Sequence, residues 1–220
     1  MSDKPTSKAI IWDWNGTLLD DLDICIIGIN KYLSERNLKT LDKKRYRNIF
    51  GFPIGDYYQK IGFDLEKESL EDLSVKFLKT YFENFNQTRL NNGTYEILSK
   101  FQKAGYQQYI LSALDQPSLD DSIKKFKIEK FFKAIKGAQD TLAKGKIDYG
   151  RELFAAENLI PESTILIGDT LHDKEVSDSL NIKCVLYSGG HQTYDRLAIN
   201  NSIVVNDLRK SFDIVEKLLY

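Results

Sequence analysis

Two acidic clusters, a hydroxyl and a lysine pair are the residues of this chain whose types and spacing suit chemistry. In Asp13-Trp14-Asn15-Gly16-Thr17-Leu18-Leu19-Asp20 an acid directly follows the apolar run Ala9-Ile10-Ile11-Trp12 and precedes a Gly-Thr pair. A tight turn there exposes the carboxylate and aims backbone N–H groups at the same point. That suits a phosphoryl group, whose oxygens need positioned donors and a cation. The plainer alternative is an acid closing a strand before an Asn-Gly turn. In Ile165-Leu166-Ile167-Gly168-Asp169-Thr170-Leu171-His172-Asp173, Asp169 and Asp173 straddle a strand-to-helix loop, so both can face one hard cation. Helix caps draw on the same residue types. Ser112-Ala113 follows Ile110-Leu111, which suits the hydroxyl to a phosphate oxygen, or again to a cap. Lys144 and Lys146 gain interest from lying between Ser112 and the second acidic cluster.

These residues need elements that bring them together. Short apolar runs at Ala9–Trp12, Gln108–Leu111, Thr164–Ile167, Lys183–Leu186 and Ile203–Val205 read as buried strands. Amphipathic stretches at Tyr95–Ala104, Pro117–Phe126, Tyr149–Asn158, Lys174–Leu180 and Leu208–Leu219 separate them. Alternating strands and helices predict an α/β domain with a mostly parallel sheet. Between Asp21 and Gln87 the pattern changes to helical periodicity alone, with stripes at Leu22, Ile26, Ile29 and Leu33 and at Leu70, Leu73, Phe77, Leu78 and Tyr81. The expectation is a core formed by residues 1–19 and 90–220, with an inserted all-helical cap at 20–89. The chain then crosses between them at Leu19–Asp21 and Asn86–Gly93. In open parallel sheets ligands bind beyond the carboxyl ends of the strands, which is where Asp13, Ser112, Asp169 and Gly189-Gly190-His191 fall.

Composition narrows the function classes. Lys plus Arg number 31 and Asp plus Glu 32, so no net field favours nucleic acid or an anionic membrane. The run Ala9–Trp12 is too short for a signal segment or a membrane span. Cys25 and Cys184 sit in apolar segments outside any metal pattern and read as buried small hydrophobes. A cytoplasmic protein is the default expectation.

The four motifs in this order, over nearly the whole chain from Ala9 onward, resemble the haloacid dehalogenase-like superfamily, in its phosphoglycolate-phosphatase-like branch. The resemblance implies a Rossmann-like three-layer core with a helical cap inserted after the first strand. It implies a Mg²⁺-dependent phosphatase for a small phosphorylated metabolite, acting through an aspartyl-phosphate on Asp13. Mg²⁺ would be held by Asp13, the Asn15 carbonyl and Asp169, with Asp173 as a ligand or supporting partner. Thr17 and Ser112-Ala113 would orient the phosphoryl oxygens, and Lys146, or Lys144, would neutralise charge. The family carries a second acid, which protonates the leaving group, where this chain has Asn15. An amide cannot donate that proton, and such help is typically worth about 10²–10⁴-fold. His191, or His172, is the candidate replacement. A phosphonatase or phosphotransfer enzyme and a non-catalytic phosphate-binding module are the alternatives. In the cap, Arg45 to Tyr58 resembles the segment turned toward substrate, with Arg47 or Tyr57 as contacts and Phe50, Phe52 and Tyr58 as cap core. Trp14 would narrow the leaving-group space. Oligomeric state is left open.

Overall fold

The computed structural model describes residues 8–138 and 145–220. Its strands are β1 (Ala9–Trp12), β2 (Leu19–Asp20), β3 (Arg89–Leu90), β4 (Gln107–Asp115), β5 (Ala134–Ala138), β6 (Thr164–Gly168), β7 (Lys183–Tyr187) and β8 (Ile203–Val205). Its helices are α1 (Leu22–Glu35), α2 (Lys43–Ile49), α3 (Ile54–Ile61), α4 (Leu70–Asn84), α5 (Thr94–Lys103), α6 (Gln116–Phe126), α7 (Lys146–Glu157), α8 (Leu171–Ser179), α9 (Tyr194–Leu197) and α10 (Ser211–Leu219).

Six strands form one parallel sheet in the order β5-β4-β1-β6-β7-β8. All four residues of β1 are fully buried, because the strand is central and covered on both faces. Alternation along the strand assigns its side chains. Ile10 and Trp12 join Ile110, Ile165, Ile167 and the inner faces of α5, α6 and α10 in one cluster. Ala9 and Ile11 join Tyr109, Leu111, Leu166 and the faces of α7 and α8 in the other. The result is the three-layer α/β architecture expected from the sequence. Trp14 departs from expectation. It is fully buried in the first cluster and donates to Ser122 Oγ at 2.8 Å, so it points away from the site.

β5 carries no continuous apolar run, which an edge position permits. Ala134, Ile135 and Lys136 are only half-buried, so the segment carries a lysine that a central strand would exclude. β4 runs past Leu111 to Asp115 with a shift of register against β5 between those residues. This irregularity carries Ser112 and Ala113 to the end of the sheet.

Helices α1 to α4 occupy the chain between β2 and β3 and share a third hydrophobic cluster. Leu22, Ile29 and Leu33 there meet Tyr46, Tyr57, Tyr58, Leu73 and Tyr81. Asp42 and Ser69 cap α2 and α4 by accepting from Arg45 N and Asp72 N. The two crossings between this layer and the sheet domain pair as β2 and β3, antiparallel, with Leu19 opposite Leu90 and Asp20 opposite Arg89. No helix among the described residues is long and apolar enough to cross a membrane.

Candidate active site

Neighbours of β1 depart in opposite chain directions, β4 and β5 to one side and β6 to β8 to the other. The carboxyl end of β1 is therefore a topological switch point. Asp13 leaves β1 there, Asp169 leaves β6, Ser112 sits in β4, and Lys146 opens α7. All four are buried.

Lys146 Nζ donates to Asp13 Oδ1 at 2.6 Å and to Asp173 Oδ1 at 2.7 Å. The other Asp173 oxygen accepts from Thr170 N at 3.0 Å and Thr170 Oγ1 at 2.7 Å. Asp173 therefore does both things its sequence position allowed: it caps α8 and faces the other acids. Thr17 Oγ1 lies 3.2 Å from Asp13 Oδ2 and 3.2 Å from Asp169 Oδ1, so its hydroxyl is engaged between the two carboxylates, away from the space in front of them. Asp169 Oδ2 accepts from His191 N at 2.5 Å.

Glycine is required where backbone wraps these acids. Gly16 has φ +75°, and a Cβ on it would overlap the Asp169 carboxylate and the His191 ring. Gly190 meets the same carboxylate in the same way.

Carboxylate oxygens of Asp13, Asp169 and Asp173 lie within 4.8 Å of one another. Burial pushes Asp13 up to about 6, with Asp173 adding and Lys146 opposing. Burial also drives Asp169 well above the ordinary carboxylate range, with Asp13 and Asp173 adding to it against the pull of His191. Asp173 moves the other way, since Lys146 outweighs its desolvation. Lys146 is held above its ordinary value because Asp13 and Asp173 overcome the cost of burying its charge. Three acids face one lysine, and two of the acids resist ionisation. An all-oxygen set with unmet negative charge fits a hard divalent cation.

In front of these groups is a cavity of about 50 Å³, lined by Asp13, Asn15, Phe52, Ser112, Ala113, Lys146, Asp169, Thr170, His172 and Asp173. A cavity of that measure holds a few water-sized spheres, the scale of a phosphoryl group. A second, larger cavity of about 180 Å³ lies between the sheet domain and the helical layer and shares Asn15, Phe52 and Ala113 with the first.

Several residues expected at the site take other positions. Arg47 lines neither cavity. Its guanidinium donates to the carbonyls of Gly190 at 2.8 Å and Gln192 at 2.9 Å, and to that of Ser188, fastening α2 to the loop after β7. His191 also lines neither cavity. Its Nε2 lies 3.2 Å from Asp21 Oδ1 and its Nδ1 3.2 Å from the Tyr46 hydroxyl. Burial works against its charge, but Asp21 overcomes this and lifts it to about 9. It is therefore a fixed cation, unsuited to cycling as an acid near neutrality. His172 does line the smaller cavity, with its ring 4.6 Å from Phe52 and a buried Nε2 that has no partner. Lys144 lies outside the described residues. Tyr57 and Tyr58, with Phe50 and Phe52, line the larger cavity.

Sequence reasoning missed Asp21. It accepts from Asn15 Nδ2 at 2.8 Å, Gly16 N at 2.9 Å and the Tyr81 hydroxyl at 3.0 Å, besides His191. His191 keeps it below the ordinary carboxylate range despite complete burial. Asn15 also donates to Tyr81 at 3.0 Å. An acid in place of Asn15 would press a second carboxylate against Asp21, so the amide suits its neighbour. An acid just before an amphipathic helix signals only an N-cap, and nothing local distinguishes Asp21 from one.

Comparison with known proteins agrees with this geometry. The chain is 21% identical over 215 residues to the tyrosine-protein kinase PtkA of Mycobacterium tuberculosis, covering 94% of this chain and 73% of the relative. It is 26% identical over 191 residues to the phosphoglycolate phosphatase of Mesorhizobium japonicum, covering 83% of each. The crystal structure of a putative haloacid dehalogenase-like hydrolase from Bacteroides fragilis superposes with a TM-score of 0.81 at 16% identity, covering 93% of this chain and 99% of that one. The family model for haloacid dehalogenase-like hydrolases matches residues 10–187. With that match spanning both acidic clusters, the chain belongs to the haloacid dehalogenase-like hydrolases.

Proposed function

We propose that the protein is a Mg²⁺-dependent phosphatase that hydrolyses a small phosphorylated metabolite through an aspartyl-phosphate on Asp13. The observation that supports this most is the Asp13 carboxylate, buried beside a phosphoryl-sized cavity and held by Lys146 at 2.6 Å. A carboxylate attacks a dianionic phosphate only where cations offset the repulsion. Lys146 supplies one charge. Asp13, Asp169 and the Asn15 carbonyl would hold Mg²⁺, with Asp173 as ligand or supporting partner, and the ion would supply the remaining neutralisation when bound. Thr17 keeps Asp13 and Asp169 in register, while Ser112 and Ala113 form the wall against which the phosphoryl oxygens are oriented. Asp13 attacks phosphorus, the bond to the leaving oxygen breaks, and water then attacks the same phosphorus to free phosphate and restore the carboxylate.

In this reading residues 1–19 and 90–220 form the catalytic core and 20–89 a cap that closes over it. Its setting is the cytoplasm. Asn15 cannot protonate a leaving group, which selects substrates whose leaving group departs as a stable anion. That same feature supports a second reading, phosphotransfer to an acceptor other than water, in keeping with the similarity to the tyrosine-protein kinase PtkA. Assays of phosphate release with Mg²⁺ over acyl, aryl and alkyl phosphates test the first reading. It requires turnover that chelation abolishes and that Asp13→Asn lowers by about a thousandfold or more. Chelator-resistant turnover, or turnover indifferent to Asp13→Asn, would overturn it.

A further inference from the structure

From the larger cavity we infer that the substrate is the phosphate monoester of a small, uncharged phenol: one aromatic ring enters the space between cap and core while its phosphoryl group sits at Asp13. The inference rests on the phosphatase reading and specifies its leaving group.

Size comes first. The cavity holds about 180 Å³, and an apolar protein cavity of about 150 Å³ admits benzene. One ring with a small substituent therefore fits within it.

Lining chemistry comes second. Tyr46, Phe50, Phe52, Tyr57, Phe77 and Tyr81 surround the space with aromatic faces and edges, which favour offset or edge-on packing with a further ring. Among the described residues no lysine or arginine lines it, so a carboxylate or second phosphate would lie buried without a partner. The polar atoms that reach the wall are mostly committed. Asn15 and Tyr81 bind Asp21, Tyr46 meets His191, and Ser74 donates to the Leu70 carbonyl. The hydroxyl of Tyr57, which is 4% exposed, has no partner and can serve one polar substituent. A sugar, with several hydroxyls to satisfy, meets too few partners.

Chemistry of departure comes third. The two cavities meet at Asn15, Phe52 and Ala113, so the leaving oxygen lies beside a residue that cannot give it a proton. A phenol has a pKa near 10, as in tyrosine, whereas an alkanol is nearer the value of about 15.7 for water. As the Asp13–phosphorus bond forms, the phosphorus–oxygen bond to the ring breaks and its electron pair leaves on the phenolate, which takes a proton from solvent afterwards. Water then adds its oxygen to phosphorus, the phosphorus–oxygen bond to Asp13 breaks, both protons of the water leave with the phosphate, and Asp13 returns as carboxylate.

The test compares kcat/KM of the full chain with Mg²⁺ on acetyl phosphate, phenyl phosphate, 4-carboxyphenyl phosphate and glycolate phosphate. 4-Carboxyphenol is the more acidic leaving group, so bare reactivity favours that ester. The cavity requires the reverse, with phenyl phosphate ahead of the 4-carboxyphenyl ester by about tenfold or more. Ser74→Leu, which fills the cavity, is expected to lower kcat/KM for phenyl phosphate by about tenfold and to leave acetyl phosphate unchanged. Equal or better turnover of the 4-carboxyphenyl ester or of glycolate phosphate would overturn the inference. So would an equal loss on both substrates in a folded Ser74→Leu protein, or no loss on either. Absence of Asp13-dependent turnover on acetyl phosphate would instead sink the phosphatase reading underneath. If Ser74→Leu fails to fold, the ranking of substrates on the wild-type chain still decides.

Discussion

The mouth of the sheet and the cavity under the cap adjoin at three residues but are built on opposite principles. At the mouth, Asp13, Asp169 and Asp173 crowd around Lys146, and burial raises the stakes of every charge. Under the cap, aromatic side chains enclose a space whose polar atoms are nearly all engaged with each other. The first region is organised to transfer a group and the second to choose what carries it. Electrostatics dominates one and shape the other, so substitutions in the two regions should fail in different ways.

The sharpest separation comes from Asp13→Asn. It should abolish turnover on every substrate, by about a thousandfold or more, while leaving the cap cavity able to bind a phenol; steady-state kinetics and titration with phenol check the two halves. Next is Lys146→Met, which leaves the buried Asp13 and Asp173 without their ion-pair partner. Loss of one partner of a buried pair typically costs about 3–5 kcal/mol, so chemical denaturation should show a loss of that order in metal-free protein. Asn15→Asp, where the regions meet, presses a carboxyl against Asp21. The introduced group would have a raised folded pKa, so the variant should lose stability relative to wild type as pH rises from about 4 toward neutrality. Thermal melts at pH 5 and pH 8 check it; equal penalties at both would mean that Asp21 is not the neighbour that matters.

The pair behind the site gives a gentler pH dependence. The folded pKa of His191, about 9, stands above its ordinary 6.5. Its contribution is fully present below about 6.5 and lost as pH rises through about 9. Asp21 is shifted down, so its share is present above about 4 and fades only as pH falls through its lowered folded value. In chelator, wild type should therefore lose more stability than His191→Gln between pH 7 and 10. The smallest effect belongs to Arg47→Ala. It should cost about 1–3 kcal/mol of stability by freeing three carbonyls, without changing the ranking of substrates. A changed ranking would return Arg47 to the substrate.

The same contrast explains what could be read in the sequence. Asp13 to Thr17 and Gly168 to Asp173 are short local patterns whose spacing encodes a turn at a strand end, and the structure brings them together. The strands legible as apolar runs are the covered ones of the sheet centre and the edge strand β8, whose Ile203-Val204-Val205 is wholly apolar. β5, half-buried at an edge, lacked that signal. The cap cavity and the Asn15–Asp21–Tyr81–His191 network join segments far apart in the chain, and no local periodicity reports such meetings. Arg47, His191 and Trp14 show the cost. Their residue types suited the site, but each is held elsewhere by partners that only the fold supplies. Lys146 is the opposite case, an unremarkable loop lysine by sequence that the start of α7 carries into the centre of the charge cluster.

The account depends above all on Asp13 carrying the phosphoryl group. During turnover of acetyl or phenyl phosphate, acid quench followed by borohydride reduction should convert the acyl phosphate at position 13 to homoserine, identified by peptide mass spectrometry and absent without Mg²⁺. Unmodified aspartate at position 13 under steady turnover, or label at another residue, would contradict it.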